Sequence, residues 1–364
     1  MSVTLAKPGI DKIKPHMIGS CPNPQVPPTL LLNSNESVYG PSPLARAAAV
    51  ASASSLEKYV EHVDRIIAPA IGLAFGLNPN QITVGQGSDD LLARLARAYL
   101  GPNTNLIRSA NGYLKVPNYA FANDADVISV PDEGFKPSVD RMIAAVTDET
   151  RIVYLANPEN PAGTYLSGAE VRRLHKALPE NVLMVLDCAY EEYVDAEDYE
   201  PAHILVGEAD NVVMCKTFSK IYGLAGARIG WLYGNSELVD VIRRIALTFP
   251  VSSTAVAAAL AGLEDRVHIR SVFEANATVR QIANERLSSL GLEVVPSQTN
   301  FVLVKFPDAR QSAKQVDQYL RNRGIYLRRF ASPAFDDYIR ITLGHRSNVD
   351  FAIDTIADFL DGIF

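Results

Sequence analysis

The chain has 364 residues, 48% of them hydrophobic, with 41 acidic side chains against 34 basic and a formal net charge of −7. That length exceeds what one hydrophobic core usually serves, so two domains are expected, and the apolar content excludes a wholly disordered chain. The acidic balance, with no cluster of Lys and Arg to reverse it locally, argues against nucleic acid as a partner and is compatible with a small anionic ligand in a basic pocket.

In chain order, the N-terminal segment lacks a continuous apolar stretch followed by a small-residue cleavage site, so no targeting segment is expected. Six prolines between Pro8 and Pro28 predict an extended arm over residues 1–40 that takes no part in a sheet. Beyond Pro43, short apolar runs predict strands at Gln81–Val84, Asn105–Arg108, Asp126–Val130, Arg151–Leu155, Val182–Leu186, Asn211–Cys215 and Arg228–Leu232. Amphipathic segments at Asp89–Tyr99, Val139–Val146 and Ala169–Ala177 predict helices between them. Continuous apolar strands alternating with helices imply a mostly parallel sheet covered on both faces, with ligands at the carboxyl ends of its strands. Ala255 to Leu263, the longest apolar run, is about half of what a membrane span needs, so a soluble protein is expected. A long helix at His268–Leu290, strands at Asn300–Phe306 and Tyr338–Leu343, and helices at Gln311–Asn322 and Val349–Leu360 predict a smaller α+β domain. The boundaries expected are 41–250 for the large domain and 251–364 for the small one. The widely spaced Cys21, Cys188 and Cys215 form no disulfide or zinc pattern and fit a reducing, cytoplasmic compartment. No metal is expected, because the histidines show no ligand spacing.

Two consecutive strand ends carry chemistry. Val182-Leu-Met-Val-Leu-Asp187-Cys-Ala-Tyr190 puts a carboxylate where a buried strand stops, a place an ordinary helix cap could also occupy. The next strand runs into Lys216-Thr217-Phe218-Ser219-Lys220, with Arg228 following a small apolar segment. Pyridoxal phosphate needs this set: an amine of lowered pKa, a carboxylate for its pyridine nitrogen, and hydroxyls, N–H groups and an arginine for its phosphate.

Thr217-Phe-Ser-Lys-Ile-Tyr-Gly-Leu-Ala-Gly-Ala-Arg-Ile-Gly resembles the Schiff-base lysine motif of fold-type I, class I/II aminotransferases. Leu32-Asn-Ser-Asn-Glu36 with Gly40-Pro-Ser-Pro, Asn157-Pro-Glu-Asn-Pro-Ala-Gly-Thr164 and Ile339-Arg-Ile-Thr-Leu-Gly344 are similar to the histidinol-phosphate aminotransferase branch. The resemblance implies an α/β fold with a mostly parallel seven-stranded sheet and a smaller α+β domain. It implies pyridoxal 5'-phosphate as cofactor and a homodimer with a shared site. It makes Lys220 the cofactor-bearing lysine and proton shuttle, and sets Asp187 on the pyridine nitrogen. Tyr190 and Asn160 fall at the phenolic oxygen, and Tyr113 stacks on the ring. Backbone N–H groups of Gly87, Ser88 and Asp89, together with Thr217, Ser219 and Arg228, take the phosphate. Tyr59 reaches the partner's cofactor phosphate, and Arg340 takes a substrate carboxylate. Arg328, with Arg329 as its rival, Asn35 and His16 complete the substrate side.

His16 stands where the family usually has tyrosine, and Phe249-Pro-Val-Ser-Ser-Thr254 lacks an asparagine common there. Both departures fall near the expected donor side chain. The activity implied is ping-pong transamination between L-histidinol phosphate and 2-oxoglutarate. An aromatic amino acid donor and a decarboxylase acting on a phosphorylated amino acid stay open as alternatives. A cofactor-binding regulator is disfavoured, because the arm leaves no room for a DNA-binding module.

Overall fold

A computed structural model describes residues 6–13, 26–306 and 311–362. Its strands are β1 (Leu30–Leu31), β2 (Ile82–Gly85), β3 (Asn105–Ser109), β4 (Asp126–Val130), β5 (Thr150–Ala156), β6 (Leu183–Asp187), β7 (Val212–Thr217), β8 (Gly230–Tyr233), β9 (Glu293–Val295), β10 (Phe301–Lys305), β11 (Ile325–Tyr326) and β12 (Tyr338–Thr342). The first six α-helices are α1 (Pro43–Ser52), α2 (Val63–Phe75), α3 (Ser88–Tyr99), α4 (Val116–Phe121), α5 (Val139–Ala144) and α6 (Gly168–Lys176). The remainder are α7 (Ala202–Glu208), α8 (Ser236–Arg244), α9 (Ser253–Glu264), α10 (Arg266–Ser289), α11 (Ala313–Arg321) and α12 (Arg346–Leu360).

Seven strands form one sheet in the order β2-β8-β7-β6-β5-β3-β4. All neighbours run parallel except β8, which is antiparallel to both β2 and β7. Each coincides with a run expected from the sequence. The last begins two residues late because Arg228, at φ +53°, occupies the left-handed region and cannot continue a strand. Alternation directs the strands' side chains to the two faces of the sheet. Val153 and Leu155 face the side covered by α2, α5, α6, α7 and α9, whereas Ile152 and Tyr154 face α3, α4 and α8. Polar caps start several of the covering helices: Ser167 and Glu170 form a capping box on α6, and Ser252 accepts from Ala255 N on α9.

A second core joins β10, β12, α11, α12 and the later half of α10, and Leu32 is buried in it. Two expectations change here. The N-terminal arm does enter a sheet, since β1 pairs in parallel with β11. Helix α9, expected with the C-terminal unit, packs on α1 and α2 and buries Ala255, Val256 and Ala259 beneath the large sheet. Its apolar surface is matched by those two helices, in the core of the large domain and not in that of the small one. Helix α10 spans both cores, with Val272 in the first and Val279 in the second. Among the described residues, no helix is long and apolar enough to cross a membrane.

Candidate active site

The carboxyl ends of β5, β6 and β7 open into a cleft of about 300 Å³. Asn35, Ser88, Asp89, Tyr113, Asn160, Asp187, Tyr190, Thr217, Ser219, Lys220, Arg228, Arg328 and Arg340 all line it. They come from the N-terminal segment, the large sheet and the small domain, so the site exists only where the two cores meet.

Asp187 closes the floor at the end of β6 and is 6% exposed. It accepts hydrogen bonds from the Tyr154 hydroxyl at 2.7 Å and from Ala189 N at 3.3 Å. Burial pushes its carboxyl up to about 6; the Tyr154 bond opposes that rise, the nearby Asp89 adds to it, and Lys220 draws it down. Lys220 Nζ stands 5.6 Å from the centre of the Tyr190 ring. The Tyr190 hydroxyl accepts from Asn35 Nδ2 at 3.1 Å and from Asn160 Nδ2 at 3.4 Å.

At the opposite end, α3 starts at Ser88 after Gly87, whose φ of +81° suits glycine. A Cβ on Gly87 would stand 2.9 Å from Arg228 Nη2, and one on Gly230 would stand 2.7 Å from Ser88 N, so the two turns touch through bare backbone. Thr217 Oγ1 donates to Ser219 Oγ at 2.9 Å, and Arg228 Nη1 approaches the same oxygen at 3.5 Å. Uncapped helix N–H groups, two hydroxyls and a guanidinium thus converge on one space, which is what a phosphate requires. With an amine and a buried carboxylate in the same cleft, these residues fit pyridoxal phosphate.

The third wall is basic. Arg340 on β12 is 6% exposed, and it donates to Asn160 Oδ1 at 2.6 Å and to Asn33 O at 3.0 Å, while its buried Nε has no partner. Burial lowers its pKa to about 10, a drop that Tyr190 opposes and Arg328 deepens. Arg328 lies across a backbone bridge from it. Arg329 is turned away and donates to Asp336 O at 3.2 Å.

Of the expected residues that are described, Tyr59 and Gly87 do not line the cleft. Tyr59 is 75% exposed and stacks on Phe249 with ring centroids 4.1 Å apart. His16 lies outside the described residues. The Asp89 side chain gathers a group of donors: it accepts from the hydroxyls of Tyr113 at 3.1 Å and Tyr119 at 2.6 Å, and from Lys115 Nζ at 3.0 Å. Burial would raise its pKa, but these donors outweigh it and hold the carboxyl below its ordinary value. Sequence reasoning missed Tyr154, Asn33, Glu159 and Phe330. A tyrosine inside an otherwise aliphatic buried strand was the available signal for Tyr154.

Comparison with known proteins gives the same picture. The profile of the family described as aminotransferase class I and II matches residues 27–356. The histidinol-phosphate aminotransferase of Nitrobacter winogradskyi is 40% identical over 362 residues, 99% of each chain. That of Granulibacter bethesdensis is 39% identical over 361 residues, 99% of this chain and 97% of the other. The crystal structure of the Sinorhizobium meliloti histidinol-phosphate aminotransferase in complex with pyridoxal-5'-phosphate superposes with a TM-score of 0.87 at 29% identity, covering 93% of this chain and 92% of that one.

Proposed function

Because the chain belongs to the class I and II aminotransferases, enzymes that work with pyridoxal 5'-phosphate, we propose that it transfers the amino group of L-histidinol phosphate to 2-oxoglutarate. The observation that carries this choice is the pairing of Arg328 with Arg340 on one wall of the cleft, a site for a phosphate or a carboxylate. The names of the full-length relatives support the donor.

When bound, the cofactor would supply an electrophilic carbon for the donor's amine and a protonated ring able to draw electrons from the neighbouring carbon. The chain's residues do the rest. Asp187 Oδ1, the oxygen not taken by Tyr154, holds the proton on the pyridine nitrogen. Lys220 Nζ moves the proton at the substrate's reacting carbon. Tyr190 and Asn160, already hydrogen-bonded to each other, hold the phenolic oxygen. The α3 N-terminus, Thr217, Ser219 and Arg228 hold the phosphate, and Tyr113 covers the ring. Arg340 and Arg328 orient donor and acceptor, which use the same cleft in turn.

The proposed assembly is a homodimer in which Tyr59 serves the partner's cleft. It is supported by the exposed Leu56, Tyr59, Leu247 and Phe249, which a lone protomer leaves in water. The packing favours a large cofactor unit running through α9 and a small unit beginning within α10. A cytoplasmic location is part of the proposal, supported by the buried free thiols of Cys188 and Cys215.

A donor screen with 2-oxoglutarate tests the reading. Histidinol phosphate is expected to be turned over well ahead of phenylalanine, tyrosine and aspartate, and Lys220→Ala to lose about 10³-fold in rate. An aromatic donor in first place would move the substrate, and carbon dioxide release without any 2-oxo acid would move the reaction class. An active Lys220→Ala enzyme would sink the mechanism.

A further inference from the structure

Glu159 has no part in the chemistry above, yet it is an ionisable side chain only 1% exposed in the turn that follows β5. Its Oε1 accepts two backbone N–H groups, from Tyr113 at 3.2 Å and from Asn160 at 3.1 Å. Those residues belong to different turns, one after β3 and one after β5, and both line the cleft. We infer that Glu159 is a positioning residue, whose carboxyl oxygen ties Tyr113 to Asn160 and so sets the distance between two walls of the cofactor site.

Three further observations carry this. The strap is tight: a Cβ on Gly112, the residue before Tyr113, would stand 2.8 Å from Glu159 Oε2, so the carboxyl group lies directly on that backbone. It also leads somewhere, because Asn160 passes its position on to Arg340 Nη1 at 2.6 Å and to the Tyr190 hydroxyl at 3.4 Å. And it is kept at a cost: burial pushes the Glu159 carboxyl up to about 8, an effect that Arg108 on β3 only partly offsets and that Asp132 and Asp187 reinforce. A group that merely filled space would not need to be an acid. What offsets the burial is the acceptor oxygen, since without it two buried N–H groups would be left unpaired. Glutamine would keep that oxygen, and leucine would keep only the bulk.

The inference rests on the cofactor reading, and the test separates the two. Cofactor affinity and the near-visible absorption maximum of the holoenzyme are measured for the parent, Glu159→Gln and Glu159→Leu, together with kcat and KM. Glu159→Gln is expected to hold cofactor within about threefold of the parent, and Glu159→Leu to loosen it about tenfold or more. In Glu159→Leu the band should shift and kcat should fall, with KM for the oxo acid nearly unchanged, because Arg340 keeps its Asn33 contact. Parent-like affinity and band in Glu159→Leu overturn the inference. Equal losses in both variants overturn it as well, since charge and not the acceptor would then matter. Should Glu159→Leu fail to fold, Gly112→Ala decides, at a position outside the left-handed backbone region. It keeps the Glu159 side chain and crowds its carboxyl group; a loss of about tenfold in cofactor affinity supports the strap, and unchanged affinity overturns it. A parent protein that takes up no cofactor overturns the reading on which the inference rests.

Discussion

Asp187 is a carboxylate held in a place that favours its neutral form until a cation arrives. Its ordinary pKa of 3.8 rises to about 6 in the folded chain, first because it is buried, against the opposing Tyr154 bond. Between those values the unfolded chain has released its proton while the folded chain still holds it. Stability of the cofactor-free protein therefore falls as pH rises from about 4 to about 6, and above that the full cost, on the order of 3 kcal/mol, is present. An asparagine in its place would mimic the protonated acid. Cofactor-free Asp187→Asn is thus expected to be more stable than the parent by about 1–3 kcal/mol at pH 8 and no more stable near pH 4, as read by urea unfolding, while holding cofactor less well. Equal stability at pH 8 would count against the burial argument. Asp187 was legible in the sequence because it shares one short stretch with a strand end and Tyr190; Lys220 and Arg228 share another with Thr217 and Ser219. Tyr154, Glu159 and Asn33 were not, because each has a partner far along the chain: Asn33 O meets Arg340 across 307 positions of sequence. Asp89 was read for its backbone N–H, and only the fold shows its carboxylate gathering Tyr113, Tyr119 and Lys115.

The elements that were easiest to read are those with the most uniform surroundings. Strands β5 to β7 lie inside a sheet covered on both faces, and most of their residues are apolar in consequence, so each stands out as a run. Strands β1 and β11, two residues each, are too short to show any period, and their pairing joins residues 295 positions apart at Leu30 and Ile325. Helix α9 hid its helical stripe because it is buried among α1, α2 and the sheet and is apolar nearly all round, while α2 carries Pro69 inside the helix. Where elements meet, single glycines decide the geometry. Gly87 ends the turn between β2 and α3 in the left-handed region and lets Arg228 pass against it. Gly87→Ala is expected to cost about 1 kcal/mol of stability through its φ alone. Its methyl would also push the Arg228 guanidinium off the phosphate position, and the loss of a charge-assisted bond there should weaken cofactor binding about tenfold. Thermal unfolding and a cofactor titration measure the two effects separately; a destabilised variant with parent-like cofactor affinity would show that Arg228 has another way to reach the site.

Across the whole molecule, the net charge of −7 describes the surface and not the cleft, where Arg228, Arg328 and Arg340 gather in one space suited to anionic ligands. The same contrast holds for apolar surface. Leu56 at 66%, Tyr59 at 75% and Leu247 at 60% exposure are among the large apolar side chains that the cores leave outside. In the proposed dimer each cleft combines Lys220 of one subunit with Tyr59 of the other, and this arrangement has a consequence that no single variant tests. Lys220→Ala subunits have no lysine in their own cleft, and Tyr59→Ala subunits leave the partner's phosphate site incomplete. In a hybrid of the two, the cleft of the Tyr59→Ala subunit keeps its own Lys220 and receives Tyr59 from its partner, so it is native; the second cleft lacks both. Refolding the variants together in equal amounts makes about half of the dimers hybrids, so roughly a quarter of the parent's active sites should return. If Tyr59 instead served its own subunit, every cleft in the hybrid would lack one residue or the other, and mixing would restore nothing. Activity of the mixture above that of either variant alone therefore reports the shared site directly, and activity equal to their average rules it out.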